Sequence, residues 1–201
     1  MSQFSDKDVI LSVFDYDCRE IKSNDSLNIA FGIDKNFLFG CGVAIASILL
    51  NNKSLNFEFH VFTDYFSDED KVRFSELAAQ YHTSIKVYLI NCDKLKTLPF
   101  TKNWSYATYF RFVIADYFYH KIDKLLYLDA DIACKGSIQE LAEYTFAENE
   151  VAAVVTERDS EWWTNRANTL TTPALASGYF NAGFLLININ EWQKNDISTR
   201  A

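Results

Sequence analysis

Leu125-Leu126-Tyr127-Leu128-Asp129-Ala130-Asp131 is a short apolar run that stops at two carboxylates separated by one residue. Successive side chains of an extended backbone alternate faces, so Asp129 and Asp131 are expected to project the same way from the end of a buried strand. Two carboxylates held that close repel each other unless something positive sits between them. An all-oxygen donor set of this kind favours magnesium, manganese or calcium. An isolated Asp-x-Asp is also what a solvated strand end or a helix cap looks like, so the rest of the chain has to decide its meaning.

Upstream of that stretch the pattern alternates between strands and helices. Leu27 to Ile33 reads as a strand, Gly42 to Leu50 as an apolar helix closed by Asn51-Asn52, and Phe57 to Thr63 as the next strand, which together make a β-α-β unit. Ser67-Asp-Glu-Asp70 carries a capping-box pattern ahead of a helix whose apolar positions include Val72, Phe74, Leu77, Ala78 and Tyr81. Ser84 to Ile90 alternates as a strand, and Ser105 to Phe118 reads as a helix with Tyr109 and Arg111 near its start. Downstream, Ser137 and Glu140 predict a second capping box and a helix continuing through Leu141, Tyr144 and Phe146. Val151 to Thr156 and Phe184 to Ile189 predict strands, with Glu191 opening a last helix. The result is an α/β fold with a mainly parallel sheet, whose ligands bind beyond the carboxyl ends of the strands.

The bulk numbers limit the function. A chain of 201 residues with 49% hydrophobic and 16% aromatic residues has one real core and is not disordered. A formal net charge of −8 argues against nucleic acid or an anionic membrane surface as a general partner. An anionic ligand would have to be met locally, by a metal or a few placed cations. Cys18, Cys41, Cys92 and Cys134 are scattered without metal or disulfide spacing, which fits a reducing, cytosolic setting. The start of the chain, with Asp6, Asp8, Asp15 and Asp17, lacks the basic region and long apolar core of a secretory signal, and no window reaches the length of a membrane span.

Residues 1–26 read as an N-terminal extension with one strand, and residues 27–201 as the domain. Val9 to Phe14 followed by Asp15-Tyr16-Asp17 is a competing apolar run ending in Asp-x-Asp. It resembles the nucleophile motif of haloacid-dehalogenase-like phosphatases. Arg19 stands where those enzymes usually have Thr or Val, and Lys22 to Ser26 continues as a polar connection, so Asp15 and Asp17 are expected to be a solvated pair in the extension.

Three further motifs carry chemistry. Phe31-Gly-Ile-Asp-Lys-Asn36 lies at the first β-α turn, with a small residue for close approach and Asp34 and Asn36 able to grip a base or ribose; an Asx turn is the ordinary alternative. Thr108-Tyr-Phe-Arg111 places a guanidinium in an apolar helix, where it needs an anion, either a ligand or a structural partner such as Asp116 or Asp34. Tyr179-Phe-Asn-Ala-Gly183 precedes an apolar strand and reads as a turn with an amide available for sugar hydroxyls.

In this order and spacing, Asn28 to Asn36, Tyr109 to Arg111, Leu125 to Asp131 and Phe180 to Gly183 resemble glycosyltransferase family 8, above all its bacterial lipopolysaccharide core glucosyl- and galactosyltransferases. The resemblance implies a GT-A fold, a Rossmann-like α/β arrangement with helices on both faces. It also implies a retaining enzyme that uses UDP-glucose or UDP-galactose with manganese or magnesium (Mn2+ or Mg2+) and a lipopolysaccharide core acceptor. Carried over, Gly32, Ile33, Asp34 and Asn36 hold the uridine and Arg111 steadies the nucleotide-sugar. Asp129, Ala130 and Asp131 form the metal and donor segment, and Asn181 faces the donor sugar. Retention requires either a covalent glycosyl-enzyme or same-face attack with the leaving phosphate as base. The family pattern continues past Ala201 through a Gln-Asp segment, a histidine that completes the metal site, and a basic membrane-associated region. His60, His82 and His120 all precede the metal pair, so the resemblance implies a truncated form whose activity is weak or absent, or a non-catalytic UDP-sugar-binding remnant. Contact with the cytoplasmic face of the inner membrane would then come only through the acceptor or the missing region. Thr156 lies near a position where relatives carry an acidic residue and receives no role.

Overall fold

The computed structural model describes residues 9–21, 25–93, 95–99 and 105–200. Asp6, Asp8 and the 22–24 part of the polar connection lie outside them. Strands β1 (Ile10–Asp17), β2 (Leu27–Ile33), β3 (Phe57–Thr63), β4 (Ser84–Ile90), β5 (Lys124–Leu128), β6 (Ala152–Glu157) and β7 (Tyr179–Asn188) make one sheet in the order β1-β4-β3-β2-β5-β7-β6. β4, β3, β2 and β5 are parallel neighbours, while β1 on β4, and β7 on both β5 and β6, are antiparallel.

Helices cover both faces because the inner strands are apolar on both. In β2, Ile29, Phe31 and Ile33 pack beneath α1 (Leu38–Asn51) and α2 (Asp68–Tyr81), while Ala30 faces the opposite core with α3 (Phe110–Phe118) and α6 (Ile189–Lys194). Phe31 and Phe59 are fully buried, each stabilising the fold by about 2–3 kcal/mol. α2 begins with the expected capping box: Ser67 Oγ accepts from the Asp70 N–H at 3.2 Å and Asp70 Oδ2 accepts from the Ser67 N–H at 3.1 Å. His82, with φ +49°, ends it in the left-handed region.

Some boundaries differ from the sequence reading. Ser105 opens a 3-10 turn (Tyr106–Tyr109) that leads into α3, so the helix is tighter at its start than the spacing predicts. The second capping box does not form: α4 (Gln139–Glu143) has Ile138 at its N-cap without a side-chain bond. It also stops before Tyr144, where Lys124 Nζ donates to the Ala142 and Tyr144 carbonyls that the helix end leaves open. The polar and aromatic segment after β6, around Trp162 and Trp163, is helix α5 (Ser160–Thr169), capped by Asp159 Oδ1 accepting from the Trp162 N–H at 2.8 Å. A four-residue helix, α7 (Ile197–Arg200), follows α6. The N-terminal segment contributes β1, an edge strand of the same sheet. No helix of the described residues is long and apolar enough to cross a membrane.

Candidate functional site

From β2 the chain builds β3 and β4 on one side, and later returns to place β5 on β2's other side. Such a reversal opens a crevice beyond the carboxyl ends of the two strands at the switch. A cavity of about 570 Å³ lies there, within the range of small-molecule sites. It is lined by Gly32 and Ile33 at the end of β2 and Asp34 just beyond it, by Arg111 in α3, by Asp129, Ala130 and Asp131 after β5, and by Asn181 in β7. The fold thus brings together all but one of the residues singled out for the nucleotide-sugar. Asn36 does not line the cavity: its backbone N–H donates to Asp34 Oδ1 at 2.9 Å, so it shapes the turn that holds Asp34. Ser105 Oγ donates to Asp34 Oδ2 at 3.1 Å from the other side.

Asp129 is held by its surroundings. Its backbone N–H donates to the Gly183 carbonyl at 2.8 Å, and the buried Tyr127 hydroxyl donates to Oδ1 at 3.0 Å. Burial pushes the Tyr127 phenol up, so it stays a donor. Arg111 is buried, sits over the Tyr127 ring at 4.9 Å, donates to the Thr108 carbonyl at 2.8 Å and to the Ala182 carbonyl, and approaches Asp129 Oδ1 at 3.6 Å. Two glycines make this packing possible. A Cβ on Gly183 would fall 2.3 Å from Asp129 Oδ2, and one on Gly32 would fall 2.6 Å from Phe110 Cβ, where α3 presses on β2.

Among the described residues four acidic residues line the cavity, Asp34, Asp129, Asp131 and Glu157, against one guanidinium, that of Arg111. A diphosphate entering alone would meet net repulsion. Among the described residues no group of three or more His, Cys, Asp or Glu side chains forms a ready-made metal cage, and none of the three histidines lines the cavity. His60, for example, is buried in β3 with Asn28 Oδ1 at 2.9 Å and the Tyr88 hydroxyl at 3.2 Å. The donor set therefore fits a hard divalent cation that takes part of its shell from Asp129 and Asp131 and the rest from ligand oxygens or water.

Two readings need correction and one residue was missed. Tyr179 to Gly183 is the first half of β7 rather than a turn. Its glycine serves close approach to Asp129, and Asn181 Oδ1 accepts from the Gly183 N–H at 2.8 Å. Asp17 is not simply solvated, because Arg19 joins it to Glu58 through contacts of 2.8 Å to each. β1 runs antiparallel to β4, so Asp15 and Asp17 pair with Lys86 and Ser84 near the amino end of β4, at the edge of the sheet opposite the cavity. The phosphatase-like pair therefore stands apart from the cavity that holds Asp129 and Asp131. Glu157 lines the cavity, one residue after the unassigned Thr156. A register shift between Val154 and Thr156 re-aims the end of β6, and strict alternation along the sequence could not reveal it.

This crevice, with an acidic pair at the end of the switch strand and an asparagine facing it, defines a GT-A type α/β fold. The chain belongs to glycosyl transferase family 8, whose pattern matches residues 28–201. It is 61% identical over 199 residues to a lipopolysaccharide 1,3-galactosyltransferase of Salmonella typhimurium, covering 99% of this chain and 59% of that protein. It is 54% identical over 198 residues to the lipopolysaccharide glucosyltransferase WaaO of Escherichia coli K12, covering 98% and 58%. The chain therefore spans less than two thirds of the length of these relatives. Among solved structures, the galactosyltransferase LgtC in complex with donor and acceptor sugar analogues superimposes with a TM-score of 0.71 at 25% identity, covering 86% of this chain and 62% of that one.

Proposed function

We propose that this chain supplies the donor site of a metal-dependent hexosyltransferase that moves glucose or galactose from a UDP-sugar to a lipopolysaccharide core oligosaccharide. The observation that carries the reading is the convergence of Asp34, Arg111, Asp129, Asp131 and Asn181 on one cavity at the switch point. The similar Salmonella and Escherichia coli proteins, a lipopolysaccharide galactosyltransferase and glucosyltransferase, support the sugar and acceptor classes.

Asp34 grips the uridine, with its carboxylate fixed by Ser105 and the Asn36 N–H. Arg111, tied to the Ala182 carbonyl, steadies the diphosphate and keeps the segment bearing Asn181 against α3. Asp129 and Asp131 would hold manganese or magnesium, which supplies Lewis-acid stabilisation of the departing UDP when bound. Asn181 orients the sugar through its free amide edge. In the transfer, the bond from the anomeric carbon to the phosphate oxygen breaks and its electron pair leaves on UDP. A bond from the acceptor hydroxyl oxygen to that carbon forms, and the hydroxyl proton passes to a phosphate oxygen of the departing UDP or to water. Transfer takes place where the acceptor is available, at the cytoplasmic face of the inner membrane.

The test is calorimetry with UDP in manganese and in EDTA on the wild type, Asp129→Ala and Asp131→Ala. Metal-dependent affinity is expected to fall on the order of 100-fold in each variant. Undiminished, metal-independent binding in both would remove the assignment. Transfer of labelled glucose or galactose to a lipid-free core oligosaccharide then identifies the sugar.

A further inference from the structure

Beyond Asn181 the wall of the cavity becomes aromatic. Tyr179 and Phe180 are consecutive strand residues, and alternation would send their rings to opposite faces. Instead the rings stack, with centroids 5.0 Å apart and planes 12° from parallel, and both line the cavity. They pair with Glu157 and Thr156, next to the register shift in β6, and such irregularities re-aim side chains. Tyr179 and Phe180 remain 48% and 36% exposed, so core packing does not account for their placement. The pair is braced from behind. Trp163 is buried with its ring 5.9 Å from Tyr179, and its indole N–H donates to the Glu157 carbonyl.

Strand order limits what can reach these rings. With neighbouring strands about 4.8 Å apart, the run β2, β5, β7, β6 sets Asp34, Asp129, Asn181 and Glu157 in a row about 14 Å long. A nucleoside at Asp34 and a diphosphate at the Asp129 pair leave the transferred sugar at Asn181. The next ligand along the row is the acceptor. One face of a pyranose presents C–H groups, whose positive hydrogens suit the negative face of an aromatic ring. An aromatic wall beside a few polar groups is the usual make-up of a small-molecule site.

Resting on the transferase reading above, we propose that Tyr179 and Phe180 form the acceptor subsite, a stacking platform for a pyranose of the oligosaccharide, with the Glu157 carboxylate accepting from its hydroxyls. The experiment is calorimetry with a lipid-free oligosaccharide released from lipopolysaccharide, in the presence of UDP and manganese. It compares the wild type with Tyr179→Leu, Phe180→Leu and Phe180→Tyr. Each leucine variant is expected to bind the oligosaccharide about tenfold more weakly, Phe180→Tyr to match the wild type, and all to keep wild-type affinity for UDP. Wild-type oligosaccharide affinity in both leucine variants overturns the platform and leaves the transferase reading intact, as does a wild type that binds UDP but no oligosaccharide. A matching fall in UDP affinity also overturns it, because the rings would then serve the nucleotide. A wild type that binds no UDP in manganese overturns the transferase reading, and the platform with it.

Discussion

Gly183 has no side chain because Asp129 occupies the space one would need. An alanine Cβ there would fall 2.3 Å from Asp129 Oδ2, 2.8 Å from its Cγ and 3.1 Å from Asn181 Oδ1, side-chain atoms that can shift only by giving up the orientation of Asp129. Gly183→Ala is therefore expected to cost little stability and to weaken manganese-dependent UDP binding about 10-fold to 100-fold. Tyr127→Phe keeps the ring under Arg111 and removes the hydroxyl that orients Oδ1. Its manganese affinity, measured by titration of the free ion's magnetic resonance signal, is expected to drop about tenfold. Wild-type affinity in both variants would mean that the orientation of Asp129 does not depend on them. The Asp129 pair was legible in the sequence because apolar residues ended at it. The work of Gly183 was not, since the side chain it makes room for is far away in the chain.

β1 shows how direction along a sheet can carry two like motifs to opposite ends of it. The two Asp-x-Asp runs look alike in sequence, but an antiparallel edge strand carries its own to the far rim. Asp15→Asn together with Asp17→Asn is expected to leave UDP affinity unchanged and to cost about 1 kcal/mol or less, from the weakened Arg19 bridge, in urea denaturation. Loss of metal-dependent UDP binding by a folded double variant would move the metal site to β1. The inner strands β2 to β5 were legible because each is an apolar run bounded by polar residues. The start of β7 was hidden because its residues face a cavity instead of a core. β3 carries a pH dependence of its own. Burial first, then Lys86 and Arg19, lowers the His60 pKa from 6.5 to about 3. The folded state thus resists protonation that the unfolded chain accepts. This contribution to stability is fully present above pH 6.5 and is lost as pH falls from 6.5 toward 3, by at most about 1.4 kcal/mol per pH unit. His60→Gln should flatten that part of the curve of urea midpoint against pH, and an unaltered slope would show that another group sets it.

At the scale of the whole molecule, alternating strands and helices announced an α/β sheet, and the expectation that ligands bind at carboxyl ends located the cavity. The order of strands was less accessible, because which side of β2 receives β5 is decided by packing between distant segments. β2 and β5 pair only through Ile29 with Leu126 and Ala30 with Tyr127, whereas β2 and β3 match along their full length. That short seam has a consequence for folding kinetics. β2, α1, β3, α2 and β4 follow one another in the chain and close short loops, but joining β2 to β5 means closing a far longer one, which is entropically slower. Asp34 lies on one side of the seam and Asp129 on the other, so neither part alone has a cavity. In refolding from urea, recovery of UDP binding is expected to lag behind the far-ultraviolet circular dichroism signal; simultaneous recovery would show that the seam closes with the rest. The crevice between Asp34 and Asp129 is thus the last feature the chain completes as it folds.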